Sequence, residues 1–435
     1  MSDHITIIGG GLAGSEAAWQ AANVGAEVRL VEMRPVRKTP VHATNHLAEL
    51  VCSNSLKSNS LTNAAGLLKE EMRRLNSLIV AAGDLASVPA GEALAVDREL
   101  FAAYITNKLE GHPNITIERA EVTAIDENSV HIVATGPLTS DALATEVGRL
   151  TGQAQLFFYD AVAPTIDAST IDREKVFTAS RYDKGDAAYL NCPFSKPEYE
   201  AFYDALLHAE LAPIHEHEGK IPYFEGCLPI EVLAARGPKT LSFGPMKPVG
   251  LTDPRTGHRP WACLQLRQEN RAATLYSMVG FQTRMKWGDQ KRVFRLIPGL
   301  ESAEFVRYGV IHRNTYIQSP QVLTDTLQMK AFPSVFFAGQ ITGVEGYVES
   351  AATGILAGRN AARHLLGQPL LALPETTMLG ALVNYVAHYD GKDFQPMNSN
   401  WGIVPPLEER IRDKKEKNAL LAERALAALE AALPA

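Results

Sequence analysis

Cysteine is scarce in this chain: Cys52, Cys192, Cys227 and Cys263 are the only four, and no two of them form a CxxC pair. That spacing argues against a structural zinc site or a redox disulfide, so we expect no metal and reduced thiols in a cytoplasmic protein. Long hydrophobic runs are missing too. None approaches the ~20 residues of a spanning helix, and Met1 to His4 carries no basic segment, so neither a membrane partner nor a signal peptide is expected. Positive charge is not in excess: 42 Lys plus Arg stand against 49 Asp plus Glu, a formal charge of -7, so contact with nucleic acid would need a local basic patch. Internal repeats and biased tracts are absent. What remains is 435 residues, 46% of them hydrophobic, enough for two or three ordinary globular domains.

The first thirty-five or so residues read as one βαβ unit: a strand Ile5 to Ile8, a glycine turn, a helix from Leu12 to about Asn23, and a strand Ala26 to Val31. The turn, Gly9-Gly10-Gly11-Leu12-Ala13-Gly14, fits G-x-G-x-x-G in the strand-to-helix context that gives the motif meaning. Gly9 permits the tight turn, Gly11 lets a pyrophosphate approach the backbone, and Gly14 lets the helix pack on the strand. The helix N-terminus then points its positive end at the phosphates. Glu32, ending the second strand, is placed to accept ribose hydroxyls. A glycine-rich turn without a ligand is the bland alternative, and the accompanying acid disfavours it.

Farther along, the pattern predicts an irregular stretch from Val36 to Ser60, helices from Leu61 to about Ala82 and from Asp97 to Leu109, and strands at Ile115 to Ile117, Glu121 to Ile125, Ser129 to Ala134 and Leu156 to Val162. Two further marks follow, Ala134-Thr135-Gly136 and Val335-Phe336-Phe337-Ala338-Gly339-Gln340, the second leading to a helix from about Ala351 to Leu366 with Gly354 inside it. Three such elements, far apart in the chain, fit an FAD threaded through a discontinuous domain better than a simple NAD dehydrogenase. The expected architecture is α/β: a Rossmann-like FAD-binding flavoprotein domain, discontinuous, with an α+β insertion domain. We assign 1–181 to its first part, 182–314 to the insertion, and 315–435 to the second part with a C-terminal helix.

Several segments together carry a closer likeness. Leu50-Val51-Cys52-Ser53-Asn54-Ser55 and Phe224-Glu225-Gly226-Cys227-Leu228-Pro229-Ile230-Glu231 are joined by Met246-Lys247-Pro248-Val249-Gly250-Leu251, by Met285 to Arg292 and by Tyr308 to Tyr316. In these the chain resembles the bacterial folate- and FAD-dependent tRNA (uracil-C5-)methyltransferases, from the N-terminus to roughly Pro406. A related flavoprotein family that modifies wobble uridine shares the FAD motifs but is a longer chain with a C-terminal helical extension, and neither that length nor its cysteine segment is present here. The resemblance implies a T-loop uridine of tRNA as substrate, methylenetetrahydrofolate as one-carbon donor, FAD, and NADPH or NADH as reductant.

It also implies a chemistry that the residues can be measured against. Uracil C5 is a poor nucleophile until a thiolate adds at C6, and cysteine suits that task because its thiolate is accessible near neutral pH. A methylene unit arrives one hydride short of methyl, which is why a flavin is needed. The resemblance assigns Cys227 as the C6 nucleophile and Cys52 as its base or assistant, with the division between them open. Cys192 and Cys263 read as small buried hydrophobes. The resemblance also places His312 and Tyr347 against the pterin and flavin rings. For RNA, Arg284, Lys291 and Arg295 fall on one expected helical face, as do Arg410, Lys414 and Lys417, and solvated helix faces are the plain alternative. Two other functions stay open at this point: an FAD oxidoreductase of small molecules, and a noncatalytic flavoprotein subunit of a tRNA-modification complex. Oligomeric state is not legible.

Overall fold

The computed structural model describes all residues except 1–2, 40, 154–155, 184–186, 214–222, 224–227 and 434–435, and leaves out the side chains of Phe158, Asp183 and His312. The chain opens with β1 (His4–Ile8), α1 (Leu12–Asn23), β2 (Glu27–Glu32) and β3 (Ser55–Ser58). It continues with α2 (Ala64–Arg74), α3 (Leu78–Leu85), β4 (Ser87–Val88), β5 (Ala93–Val96), α4 (Arg98–Glu110), β6 (Ile115–Arg119), β7 (His131–Val133), α5 (Asp141–Thr151) and β8 (Leu156–Ala161). The central part holds β9 (Thr165–Asp167), β10 (Phe177–Thr178), β11 (Tyr189–Phe194), α6 (Lys196–Leu207), α7 (Ile230–Ala234), α8 (Thr240–Phe243), β12 (Ala262–Gln268), β13 (Leu275–Met278), α9 (Trp287–Phe294) and β14 (Phe305–Arg307). The last part runs through β15 (Ile311–Tyr316), α10 (Ser319–Val322), β16 (Val335–Phe337), α11 (Tyr347–Leu365), α12 (Met378–His388) and α13 (Lys414–Ala432).

Five strands pair in parallel in the order β16-β7-β1-β2-β6. Their burial on both faces explains the unbroken apolar texture of β1, where Ile5 and Ile7 are fully buried. The strand order reverses at β1, which leaves a crevice at the carboxyl ends of β1, β2, β7 and β16, where ligands of such sheets bind. α1 and α11 cross closely over this sheet because Gly354 and Gly358 bring their backbones against Ala13 and Ala17; a Cβ on either glycine would stand 2.4 Å from a carbonyl oxygen of α1.

A second, antiparallel sheet has the order β10-β11-β12-β13-β9-β14 and its own core, from Ile166 to Phe305. Its β12-β13 pair is an antiparallel hairpin. Because β9 and β10 belong to this sheet, we divide the chain so that the insertion begins near Thr165, ahead of the boundary at 182, and ends near Arg307. Entry and exit are bound into one ribbon, β8 antiparallel to β15. Among the described residues, no helix is long and apolar enough to cross a membrane, and no cluster of His, Cys, Asp and Glu could hold a metal ion.

Four expectations about elements need correction. The single helix from Leu61 to Ala82 is two, α2 and α3, because Asn76 adopts a left-handed φ of 56° and Ser77 caps the new helix by accepting from Val80 N–H. No strand forms over Glu121 to Ile125, which lacks a pairing neighbour at the sheet edge. α11 starts at Tyr347 rather than near Ala351, since Gly346, with a φ of 122°, lets the chain turn directly into the helix. The C-terminal helix starts only at Lys414, with Asp413 as its cap, so Arg410 lies off it.

His131 in β7 is buried with neither ring nitrogen hydrogen-bonded, and burial holds its pKa below the ordinary value against the pull of Asp126. The unfolded chain therefore takes up a proton that the folded one resists. Stability is complete above the unfolded histidine value of about 6.5 and falls as pH drops through it toward the folded pKa. The expected result is a melting temperature that declines on acidification from neutral pH, with a shallower decline in His131→Val. His42 and His364, depressed in the same direction, retain the remainder. An identical pH profile for the variant would exclude His131 as a source.

Candidate active site

The crevice at the carboxyl ends of the parallel strands is a cleft with about 1010 Å³ of empty space, its open mouth included. Gly9, Gly11, Leu12, Ala13, Glu32, Gly136, Gly339, Gln340 and Tyr347 all line it. Gly9 has a φ of 103°, and a Cβ there would meet Ala134 O at 2.7 Å, so the turn admits only glycine. Gly11 is different. It has an ordinary φ of -75°, and a Cβ would find nothing within 4 Å, so its surroundings leave space for a ligand to reach the backbone.

Gly10, Gly14 and Gly354 do not line the cleft, and their work is structural. Gly10 donates its N–H to Glu32 Oε2 at 2.7 Å. Gly14 admits α1 against the turn, for a Cβ there would stand 1.8 Å from Gly9 O. Gly354 serves the α1-α11 crossing described above. Glu32 also accepts from Arg34, from its N–H at 3.0 Å and its Nε at 2.8 Å. Burial alone would raise the Glu32 pKa, but the Arg34 charge and these hydrogen bonds outweigh it and hold the carboxyl below its usual value. Three of about four acceptor positions are taken, which leaves one facing the cleft for a ribose hydroxyl. Sequence reasoning missed Arg34, which is buried between Glu32 and Glu49. Its nearness to Glu32 was visible, but its second partner was not.

Cys52 sits on the loop beyond the flavin end expected for this cleft. It is half-buried, its Sγ lies 3.9 Å from Ala161 O at the end of β8, and its N–H donates to the Tyr347 hydroxyl at 2.6 Å. Ser53 N–H donates to the same oxygen at 3.2 Å. Tyr347 thus has its ring at the cleft and its hydroxyl anchoring the cysteine loop. Arg98 fastens the loop from α4 through the carbonyls of Leu50 and Cys52, while its other donors grip Glu269 of the insertion.

Burial pushes the Cys52 thiol well above the ordinary range, and Asp160 adds to the rise; Arg98 and Arg267 pull the other way, and Glu345 pushes with Asp160. Glu345 is itself raised to about 8, by burial first and then by Asp160, although Gln340 donates to it. A thiol and a carboxyl that both hold protons near neutral pH therefore lie within electrostatic reach of each other near Tyr347, the arrangement expected where protons are moved. Neither Asp160 nor Glu345 was singled out from the sequence.

Cys227 lies outside the described residues. Of its flanks, Tyr223 bridges Tyr159, two residues from Ala161, and Leu228 is buried. His312 is placed by its backbone, which pairs with Asp160 across the β8-β15 ribbon. Cys192 and Cys263 are fully buried in or beside the insertion core. Of the basic residues expected on one helical face, Lys291 and Arg295 share the single carboxylate of Glu304, and Arg284 lies ahead of α9.

Comparison with known proteins adds a second line of observation. The family model described as glucose inhibited division protein A matches residues 4–369. The methylenetetrahydrofolate-tRNA-(uracil-5-)-methyltransferase TrmFO of Enterococcus faecalis is 60% identical over 426 residues, 98% of either chain. The protein of the same name from Pelotomaculum thermopropionicum is 61% identical over 426 residues, 98% of this chain and 97% of that one. Among solved structures, GidA of Aquifex aeolicus in its form II crystal superposes with a TM-score of 0.69 over 99% of this chain and 74% of its own, at 18% identity. That last likeness speaks for the fold alone.

Proposed function

Since the chain belongs to the glucose inhibited division protein A family and, within it, to the methylenetetrahydrofolate-tRNA-(uracil-5-)-methyltransferases, we propose that it methylates C5 of a uridine in tRNA, with methylenetetrahydrofolate as one-carbon donor and FAD as resident cofactor. One observation carries this beyond the family name: a half-buried cysteine is anchored by the tyrosine that lines the end of a dinucleotide cleft.

The residues present suit FAD. Glu32 keeps an acceptor for the ribose, the open space at Gly11 suits the pyrophosphate, and Gly136, Gly339 and Gln340 line the part of the cleft toward Tyr347, where the isoalloxazine would lie. When bound and reduced, FAD supplies the hydride that completes the methyl group.

The remaining work falls to side chains. Cys227 is the nucleophile at C6, a reading supported by its described flanks, one of which pairs beside the strand end that meets Cys52. Cys52 is the base that takes the C5 proton. It can do so only as the thiolate, after its own proton has passed to solvent, and its raised pKa then makes it a weak resting nucleophile but a strong base. Glu345 and Asp160 are the carboxyls near enough to influence that proton. Tyr347 and His312 offer rings to the flat pterin and flavin systems. The target is a T-loop uridine turned out of its stack, and NADPH or NADH is the reductant.

Unmodified tRNA, labelled methylenetetrahydrofolate and NADPH incubated with the flavin-loaded protein should yield labelled 5-methyluridine on nucleoside analysis, and a tRNA without its T-loop should yield none. NADPH consumption without labelled RNA would instead make the chain an oxidoreductase of small molecules.

A further inference from the structure

Arg267, near the end of β12, carries a charge that its contacts leave without a carboxylate. Its Nε donates to Asn54 Oδ1 at 2.8 Å and its Nη2 to Ser53 Oγ at 2.7 Å, both neutral oxygens. The nearest acid, Glu269, is taken by the fork of Arg98. Arg307, also of the insertion, donates to Val51 O at 3.2 Å. Three guanidinium groups therefore hold residues 50–54, and among the described residues the one carboxylate hydrogen-bonded to any of them is Glu269. Burial lowers the pKa of Arg267, with Glu269 opposing, so holding it here brings no evident gain in stability.

Cys52 also has acidic neighbours: Asp160 of β8 and Glu345, just ahead of α11, oppose its ionisation, while Arg98 of α4 and Arg267 of β12 favour it, and its N–H donates to the Tyr347 hydroxyl. Near neutral pH Glu345 holds its proton, so a thiolate formed among these groups would be opposed chiefly by Asp160 and supported by the guanidinium pair. We infer that Arg267 is a positioning residue for Cys52: through Ser53 and Asn54 it fixes the loop, and its unmatched charge favours the thiolate. Because Arg267 reaches across from the insertion, the reactivity of Cys52 is tied to a domain that does not carry it. The inference rests on Cys52 belonging to the site and does not require methyl transfer.

The test is iodoacetamide alkylation of Cys52 in flavin-loaded full-length protein, followed by peptide mass spectrometry, at fixed pH values of about 7 to 9, where the rate follows the small thiolate fraction. R267Q should slow alkylation several-fold at each pH. R267K keeps the charge but not the fork. It should be alkylated at a rate near that of the unaltered protein while kcat for methyl transfer falls without a matching rise in KM for tRNA. An R267Q rate that does not fall, or an R267K rate that falls with it, would overturn the inference, and the R267K rates decide alone if R267Q does not fold. Alkylation uses neither folate nor RNA. A protein inactive on tRNA that still shows this dependence on Arg267 would therefore overturn the proposed function and leave the inference standing.

Discussion

Cys227→Ala is expected to form no 5-methyluridine and to form no covalent complex with RNA carrying 5-fluorouridine. Addition of sulfur to C6 turns C5 into an enolate carbon able to attack an electrophilic one-carbon unit, and without it the ring stays aromatic and inert. In the normal reaction a base then removes the C5 proton and the C6-sulfur bond breaks. Fluorine at C5 cannot leave as a proton does, so the adduct persists and runs as a slow band on a denaturing gel. Cys52→Ala should behave differently. Loss of a general base costs roughly 10²- to 10⁴-fold in rate, yet the adduct through Cys227 should still form. Trapping that survives in Cys227→Ala and vanishes in Cys52→Ala would exchange the two roles, and full activity in both would remove the cysteines from the mechanism.

Gly11→Ala and Gly14→Ala are expected to lose flavin for opposite reasons, and the pair separates ligand contact from packing. At Gly11 an added Cβ touches no protein atom within 4 Å and strains no backbone. The apoprotein should keep its stability within about 0.5 kcal/mol, as an uncrowded substitution does. FAD should bind at least about tenfold more weakly, because the methyl group takes the space of the pyrophosphate. At Gly14 the same carbon would stand 1.8 Å from Gly9 O, a backbone atom held by its own left-handed turn. α1 must shift from β1, at an expected cost of about 3 kcal/mol or more. Urea melts of the flavin-free proteins and flavin absorbance of the purified ones read both quantities. Equal destabilisation by the two substitutions would mean that Gly11 is a packing residue after all.

The βαβ start was legible because its signals are local. The bounds of α1 follow from the glycine turn and from Gly25, and the strands on either side declare themselves by composition. The break between α2 and α3 was not legible: Leu75-Asn76-Ser77 looks helical until tertiary packing gives the N-terminus of α3 a better partner. That partner is the buried Glu16, whose carboxylate accepts from Leu78 and Ile79 N–H. Gly354 shows the converse error. Its segment was recognised, but that α1 packs against it was not legible, since a glycine inside a helix reads alike whether a ligand or another helix approaches it.

From the sequence alone came the identity of the chemical groups and the places where backbone must bend or come close: the glycine turn, the acid that ends β2, and the two cysteine segments. Those follow from residue type and short spacing, which act through local sterics and intrinsic reactivity. The tertiary structure decided which groups meet. Arg267 reaches Asn54 across 213 residues, and Tyr347 holds Cys52 across 295. The first contact is set by how two separate cores dock and the second by packing around one of them, and a charge or a thiol takes its pKa from that enclosure rather than from its neighbours in the chain.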